Sequence, residues 1–407
     1  MGDRIAIDFG TSGTSYAITA NPSTPMYVAE GSTVVTDSSG TLQFWVGQGA
    51  IYNRNQVVMD NGNSLIGAVT ATQAAAAFAA PGVPGKYFVV TTTGQAPGVH
   101  GDLYYSIIDM TANGGLGAVT ATKNVPLTTG GRANEMLTAV PTSDGLGYWV
   151  ITAEYGSNNL VAVRFDANGP VGAPVITASL PQTIGDFYGS IYFNAQLTRF
   201  VMVSDNRMST GGTNYVFLMQ FNATNGSATE LASWPVPANP ADAGASGLRD
   251  AYAADFSPGG NYVYVSQLTP GRLWRYNVTD LTNIVEEYVG ETGDTADITI
   301  GGGHVRRGPD GAMWVANLGT SSLTRIPNPD APSVAGIGFV RGNVPLPAGT
   351  QSRWGLPQTA GGCAPAVSPT NLNPGSGQAI PTLGEWALML LALGLAGVAG
   401  LSAKRRA

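Results

Sequence analysis

The sequence predicts an all-β chain built as a β-propeller, and three observations carry that prediction. Apolar and polar residues alternate in stretches of four to eight, bounded by Gly, Asn, Asp or Pro, which is the pattern of short strands. With 55 Gly, 26 Pro and only 11% charged residues, the composition suits many strands joined by tight turns. A turn followed by an aromatic-rich strand recurs about every fifty residues, the span of one four-stranded blade.

The recurring unit reads "DSSGTLQFWV" near Gly40, "PGVPGKYFVV" near Gly85 and "SDGLGYWVIT" near Gly147. It returns as "NAQLTRFVMV" near Leu197, "SPGGNYVYVS" near Gly260 and "GPDGAMWVAN" near Gly311. Successive anchors are 45, 62, 50, 63 and 51 residues apart. A second strand ending in a polar turn follows most of them, as in "LYYSIIDMTANG", "NLVAVRFDANG", "YVFLMQFNATNG" and "RLWRYNVTD". One blade alone has too little core, so neighbours must stack and the ring must close. Six units lie between about Val34 and Ile326. "RIAIDFG" and "SYAITAN" at the start and "SRWGLPQ" at the end are expected to share a seventh blade, which would remove the last open sheet edge. Seven blades are therefore preferred, with six and eight also compatible. A series of β-sandwiches is the rival architecture.

The propeller is assigned to residues 1–358. Residues 359–379, "TAGGCAPAVSPTNLNPGSGQA", offer no apolar face to bury and read as a linker. Residues 380–407 form a tail of different character. Trp386 to Ala403 is 18 uncharged residues, which as a helix span about 27 Å, enough to cross a bilayer. Lys404, Arg405 and Arg406 then belong on the cytoplasmic side, with Trp386 at the outer interface and the body outside.

The formal charge is −7; the tail carries a net +2, which leaves −9 on residues 1–379. An acidic body with no basic run excludes nucleic acid as a partner, since phosphate contacts need clustered cations. Cys363 is alone, so no intrachain disulfide forms and its role stays open. One Cys with His100 and His304 argues against structural zinc. No cofactor is expected, although a divalent metal held in the propeller channel by one ligand per blade is compatible with the sequence.

Among chemical motifs, "IAIDFGTSGTSYAI" (Ile5 to Ile18) resembles the first phosphate loop of actin-like and sugar-kinase-like ATPases. The second loop, adenosine loop and long helices of that family are missing, so a hairpin with a Gly/Thr/Ser turn is the preferred reading. "GPDGAMWVANLG" (Gly308 to Gly319) resembles the turn and strand of streptogramin-lyase-like propellers, whose central funnel carries His and Glu. His304 is the candidate to face such a funnel, but beside Arg306 and Arg307 it reads rather as a loop residue. Asp102, Asp186, Asp205, Asp255 and Asp310 are scattered, mostly as turn formers. No Gly-x-Ser-x-Gly elbow occurs, so no catalytic residue is assigned. Asn222, Asn225 and Asn277 fit the N-glycosylation triplet, a match expected by chance in a Thr- and Asn-rich chain. Trp45, Trp149, Trp234, Trp274, Trp314 and Trp354 mostly fall in strand patterns, where packing is the expected role.

"LTAVPTSDGLGYWVITAEYGSNNLVAVRF" and "ADFSPGGNYVYVSQLTPGRLWRYNV" resemble repeats of the WD40-like propellers of secreted bacterial surface proteins, notably of Bacteroidetes. The tail resembles the IPTL-CTERM sorting signal: Ile380, Pro381, Thr382, Leu383 and Trp386 stand in its Ile-Pro-Thr-Leu-x-x-Trp pattern, followed by a hydrophobic helix and a basic cluster. That resemblance implies recognition by an exosortase-type membrane protease or transpeptidase of a Gram-negative bacterium. An inner-membrane intermediate would then pass to the cell surface. The expected function is a non-catalytic binding or adhesion module for a glycan or protein, with a hydrolase or lyase holding a channel metal as the alternative. Export needs a leader, and "MGDRIAIDFG" has no basic region followed by an apolar stretch. The true start is therefore expected upstream: genomic sequence should show an in-frame hydrophobic leader before Met1, and a stop codon directly upstream would refute this.

Overall fold

In the computed structural model, each of the six sequence anchors opens the second strand of one blade. The structure describes residues 2–3, 5–10, 15–20, 27–37, 39–67, 71–93, 101–128, 133–184, 188–204, 213–237, 251–268, 271–293 and 301–358. Blade 1 comprises Thr33–Thr36, Leu42–Gly47 and Ala50–Asn53. Blade 2 comprises Ala75–Ala79, Lys86–Thr92 and Leu103–Asp109, with Ala118–Val119 and Val125–Pro126 sharing the outer position. Blade 3 is Ala133–Pro141, Tyr148–Glu154, Ser157–Phe165 and Pro170–Ile184. Blade 4 is Gly189–Phe193, Arg199–Ser204, Tyr215–Phe221 and Ala228–Pro235. Blade 5 is Ala251–Phe256, Tyr262–Gln267, Arg272–Asn277 and Val285–Glu291. Blade 6 is Gly302–Arg307, Met313–Asn317, Ser322–Ile326 and Val344–Pro345. Within each sheet neighbouring strands are antiparallel and, in blades 3 to 6, follow chain order.

The first strand of each blade is the inner one, and these strands pack on one another from blade 1 through blade 6. Period-two alternation then gives each sheet two apolar faces. On the second strand of blade 4, Phe200 and Met202 enter the core shared with blade 3, while Val201 and Val203 enter the core shared with blade 5. Five such inter-blade cores join blades 1 to 6 in sequence. Six sheets sharing faces in this way are a propeller and not a series of sandwiches.

The turn before each second strand explains why the anchors were visible. In blades 1, 5 and 6 it places Gly40, Gly260 and Gly311 at φ of 83°, 74° and 71°, where a side chain is strained. Blade 4 uses Leu197 at φ 57° in the equivalent turn, its side chain packing against the blade 3–blade 4 core. The glycine signal fails there while the fold does not.

The ring has six blades, not the preferred seven. Ile5–Asp8 and Ala17–Ala20 form a two-stranded hairpin on their own. Its Ile5, Ile7 and Ile18, with Phe9, cover the apolar face of blade 6 at Trp314, Leu323, Val344 and Leu346. Phe9 and Tyr16 both meet the Trp314 ring edge-on, at 5.7 and 4.8 Å. The terminal stretch 352–358 adds no full strand. It runs instead as a strap between blades 6 and 1. His304 N–H donates to the Trp354 carbonyl (2.7 Å) and Trp354 N–H to the Ala29 carbonyl (3.1 Å). Gln358 N–H donates to the Ser32 carbonyl (2.9 Å), and Gln358 makes a parallel bridge with Thr33.

The chain divides into a unit Met1–Pro369 and a unit Thr370–Ala407, and every described residue belongs to the first. Residues 359–407, including the expected linker, membrane helix and basic cluster, lie outside the described residues. Among the described residues no helix is long and apolar enough to cross a membrane.

The strap lies so close to blade 1 that a β-carbon on Gly355 would overlap the Glu30 carbonyl oxygen. Gly355→Ala is expected to cost at least about 2 kcal/mol, because backbone on both sides must give way. Urea unfolding of the purified protein measures this, and a loss below about 0.5 kcal/mol would show that the seam yields freely.

Candidate functional site at the propeller axis

Inner strands carry apolar side chains toward neighbouring blades, so their remaining residues collect around the axis. Here that population is polar and buried. Glu30, Thr72, Gln73, Glu135, Ser190, Asp255, His304, Arg306, Arg307 and Gln358 are all at most 7% exposed, and Tyr192 and Tyr252 are equally enclosed.

Gln73 is the hub. Its Oε1 accepts the N–H groups of Leu137 in blade 3 (3.1 Å) and Ile191 in blade 4 (2.9 Å). Its Nε2 donates to the Ile191 carbonyl (3.2 Å) and to Gln358 Oε1 in the strap (3.1 Å). Gln358 Nε2 in turn donates to the Ala75 carbonyl of blade 2, which also accepts Thr33 Oγ1–H at 2.5 Å. One amide therefore ties three segments of the ring to the strap.

A charged group lies beside it. Asp255 Oδ2 accepts Arg306 Nε–H (3.2 Å) and Arg307 N–H (2.9 Å), while Oδ1 accepts Phe256 N–H (2.8 Å). Arg306 stacks over the Tyr192 ring at 3.6 Å and donates to the Pro357 carbonyl at 3.1 Å. Arg307 reaches the Phe193 carbonyl (3.1 Å). This ion pair is almost fully desolvated, and its remaining polar atoms meet backbone, as a buried pair requires.

The third group is acidic and phenolic. Glu135 Oε2 accepts both the N–H (2.8 Å) and the hydroxyl (3.0 Å) of Thr72. Burial, and then the Glu135 charge, push the Glu30 carboxyl well above the usual glutamate range. Burial, followed by Glu30 and Glu135, raises the Tyr252 hydroxyl well above its ordinary value. His304 packs on Tyr252 (ring centroids 5.2 Å) and Tyr192 (6.3 Å), with Nδ1 3.1 Å from both N and O of Leu356. Burial holds its imidazole neutral, down to about 3.

His304, Arg306 and Arg307 therefore lie on the buried inner strand of blade 6, not on a loop as the sequence suggested, and Asp255 is the partner of the two arginines, not a turn former. Asp310 does form its turn, accepting from Trp314 Nε1 (3.0 Å) and Arg325 Nε (2.7 Å). Asp102 accepts the Thr128 hydroxyl at 3.2 Å, and Asp186, Asp205 and His100 lie outside the described residues. Asn222, Asn225 and Asn277 each close a turn on the hydroxyl residue two positions on, accepting its N–H at 3.0 Å. The Asp8 turn accepts Gly10 N–H (2.8 Å) within the terminal hairpin. Trp45, Trp149, Trp234 and Trp314 are buried in inter-strand packing. Trp274 and Trp354 are packed partly buried against their cores. Among the described residues no three His, Cys, Asp or Glu side chains are grouped to hold a metal. The sorting residues Ile380, Pro381, Thr382, Leu383 and Trp386 and the anchor Lys404, Arg405 and Arg406 lie outside the described residues. At the surface, a groove of about 330 Å³ opens between blades 2 and 3, lined by Leu127, Thr128, Glu154, Val161, Val175 and Ile176.

Replacing Gln73 by Leu strands the buried Leu137 and Ile191 N–H groups. A loss of about 2–4 kcal/mol in unfolding free energy is expected. A change under about 1 kcal/mol, read by urea titration, would show that the hub is dispensable.

Comparison with known proteins adds three findings. Residues 378–406 match the IPTL-CTERM motif, a sorting signal of exported proteins. No curated protein sequence matches the chain significantly. Among solved structures, a periplasmic gluconolactonase of Pseudomonas aeruginosa is similar at 12% identity and TM-score 0.49, covering 83% of this chain and 92% of that one. The β-propeller domain of Cps50 (Swd1) from Myceliophteria thermophila is similar at 11% identity and TM-score 0.44, covering 78% and 95%. A protein from Lactobacillus plantarum is similar at 12% identity and TM-score 0.42, covering 72% and 76%. At this level of likeness they inform neither ligand nor chemistry. The chain is thus a six-bladed β-propeller that ends in an IPTL-CTERM motif.

Proposed function

We propose that the protein is an exported surface propeller that acts as a non-catalytic binding or adhesion module. An exosortase-type membrane enzyme recognises its tail, cleaves near Ile380–Leu383 and passes the body to the outer surface. The match of residues 378–406 to the sorting motif carries the reading. The axis supports the non-catalytic part: Gln73, Asp255, Arg306 and Glu135 are bonded to neighbouring side chains and to backbone. Binding then falls to the outer faces and connecting loops, where a glycan or a protein surface is the expected ligand.

Two measurements test this. In the native host, the wild-type body should reach the surface without its tail. Trp386→Ala, or Lys404, Arg405 and Arg406 all replaced by Glu, should leave full-length protein in the inner membrane. Surface display of those variants at normal yield would refute the sorting claim. For the body, a stoichiometric divalent ion whose removal abolishes turnover would replace the binding reading with a channel-metal hydrolase or lyase. Failure to bind any ligand on glycan and surface-protein arrays would leave a purely structural role.

A further inference from the structure

Glu30 occupies the tightest point of the ring seam. The residue before it, Ala29, accepts Trp354 N–H from the strap, and the residue after it, Gly31, donates its N–H to the Ala71 carbonyl (2.9 Å). Its own carbonyl is pressed against Gly355. Both backbone flanks are therefore fixed while the strap is seated, and Glu30 is only 7% exposed. Its Oε2 is buried without a hydrogen-bond partner.

Two groups bear on that carboxyl directly, with two more packed behind the second of them. Blade 3 supplies the Glu135 carboxylate, held by Thr72. Blade 5 supplies Tyr252, whose hydroxyl feels both glutamates and which packs near Tyr188 at 6.5 Å. Blade 6 supplies neutral His304 against Tyr252, and blade 4 supplies Tyr192 beyond it. The axial cation Arg306 is committed to Asp255, Tyr192 and Pro357. No described Lys or Arg pairs with Glu30. Burial and the second carboxylate favour the neutral acid over its ion.

We propose that Glu30 is a proton-controlled latch on the ring seam. As the neutral acid it lets strap 352–358 seat between blades 6 and 1. On ionising beside Glu135 it expels the strap. In sequence, residue 358 is followed by the expected linker 359–379. Opening exposes Glu30 to water, where it ionises near the ordinary glutamate value of about 4.3. The seated acid keeps its proton to higher pH. Opening therefore releases a proton, and stability of the seam is full below that ordinary value and lost as pH rises toward the seated one. Across that window the opening equilibrium grows by up to about tenfold per pH unit.

Hydrogen exchange of the full-length chain in detergent micelles tests this, comparing about pH 5 with about pH 9 after correction for intrinsic rates. In the wild type, protection of the Trp354 and Gln358 amides should fall at least about tenfold at the higher pH, with strand 199–204 unchanged. Glu30→Gln, a neutral isostere, should keep strap protection at both values. Glu135→Gln removes the facing charge and should shrink the loss, and it serves if Glu30→Gln does not fold. Equal wild-type protection at both pH values, loss in all blades together, or an unchanged loss in either variant would each overturn the latch.

Discussion

A ring of blades must close, and everything else here depends on how that is done. Among the described residues no strand of one terminus completes the sheet of the other, because blade 6 and blade 1 are each built from contiguous chain. Closure rests on a strap of seven residues that bonds His304 on one side and Ala29 and Ser32 on the other. Each such bond contributes only about 1 kcal/mol net. The seam holds because the bonds form together and because glycine permits backbone to touch backbone at Gly355 and Glu30. The terminal hairpin then covers the face of blade 6 that a seventh blade would have covered.

Around that seam the axis carries charge that water does not reach. Asp255 and Arg306 are mutually compensated, and their shared partners are backbone groups or a ring face. Glu30 has no such compensation, and His304 is held neutral by burial. The two uncompensated groups pull in opposite directions. His304 disfavours the fold as pH falls from its ordinary value near 6.5 toward about 3, because the unfolded chain takes up a proton that the core refuses. Glu30 disfavours it as pH rises. Two residues at one seam thus set opposite pH dependences against each other.

Much of the fold was legible because blade geometry repeats. Every anchor turn with its second strand, and the four following strands read from the sequence, fell where the spacing placed them, including the blade whose turn uses Leu197 in place of glycine. The blade count was not legible. "IAID" and "AITA" have strand periodicity, and periodicity does not say whether a hairpin finds further partners. The axial group was missed for a related reason. Gln73, Glu135, Tyr252 and His304 each stand as a polar residue near the start of an otherwise small and apolar inner strand, as in "TQAAAAF" and "ANEML". A polar residue interrupting such a run, repeated once per blade, is the signal that could have found them. Asp255 and Arg306 lie 51 positions apart, and no local pattern joins them.

The outer strand of blade 3, Pro170–Ile184, is the longest among the described residues at 15 residues, and Val171, Val175 and Ile176 stand exposed on it. A long edge of this kind is a template on which another chain could add a strand. Pro174 and Pro181 remove two amide donors from that edge, and three register shifts against Ser157–Phe165 bend it. A long unpaired edge would otherwise be open to sheet-to-sheet growth between molecules. The prolines make this edge a poor seed for fibres, so its apolar residues can remain available for contact without committing the molecule to self-assembly.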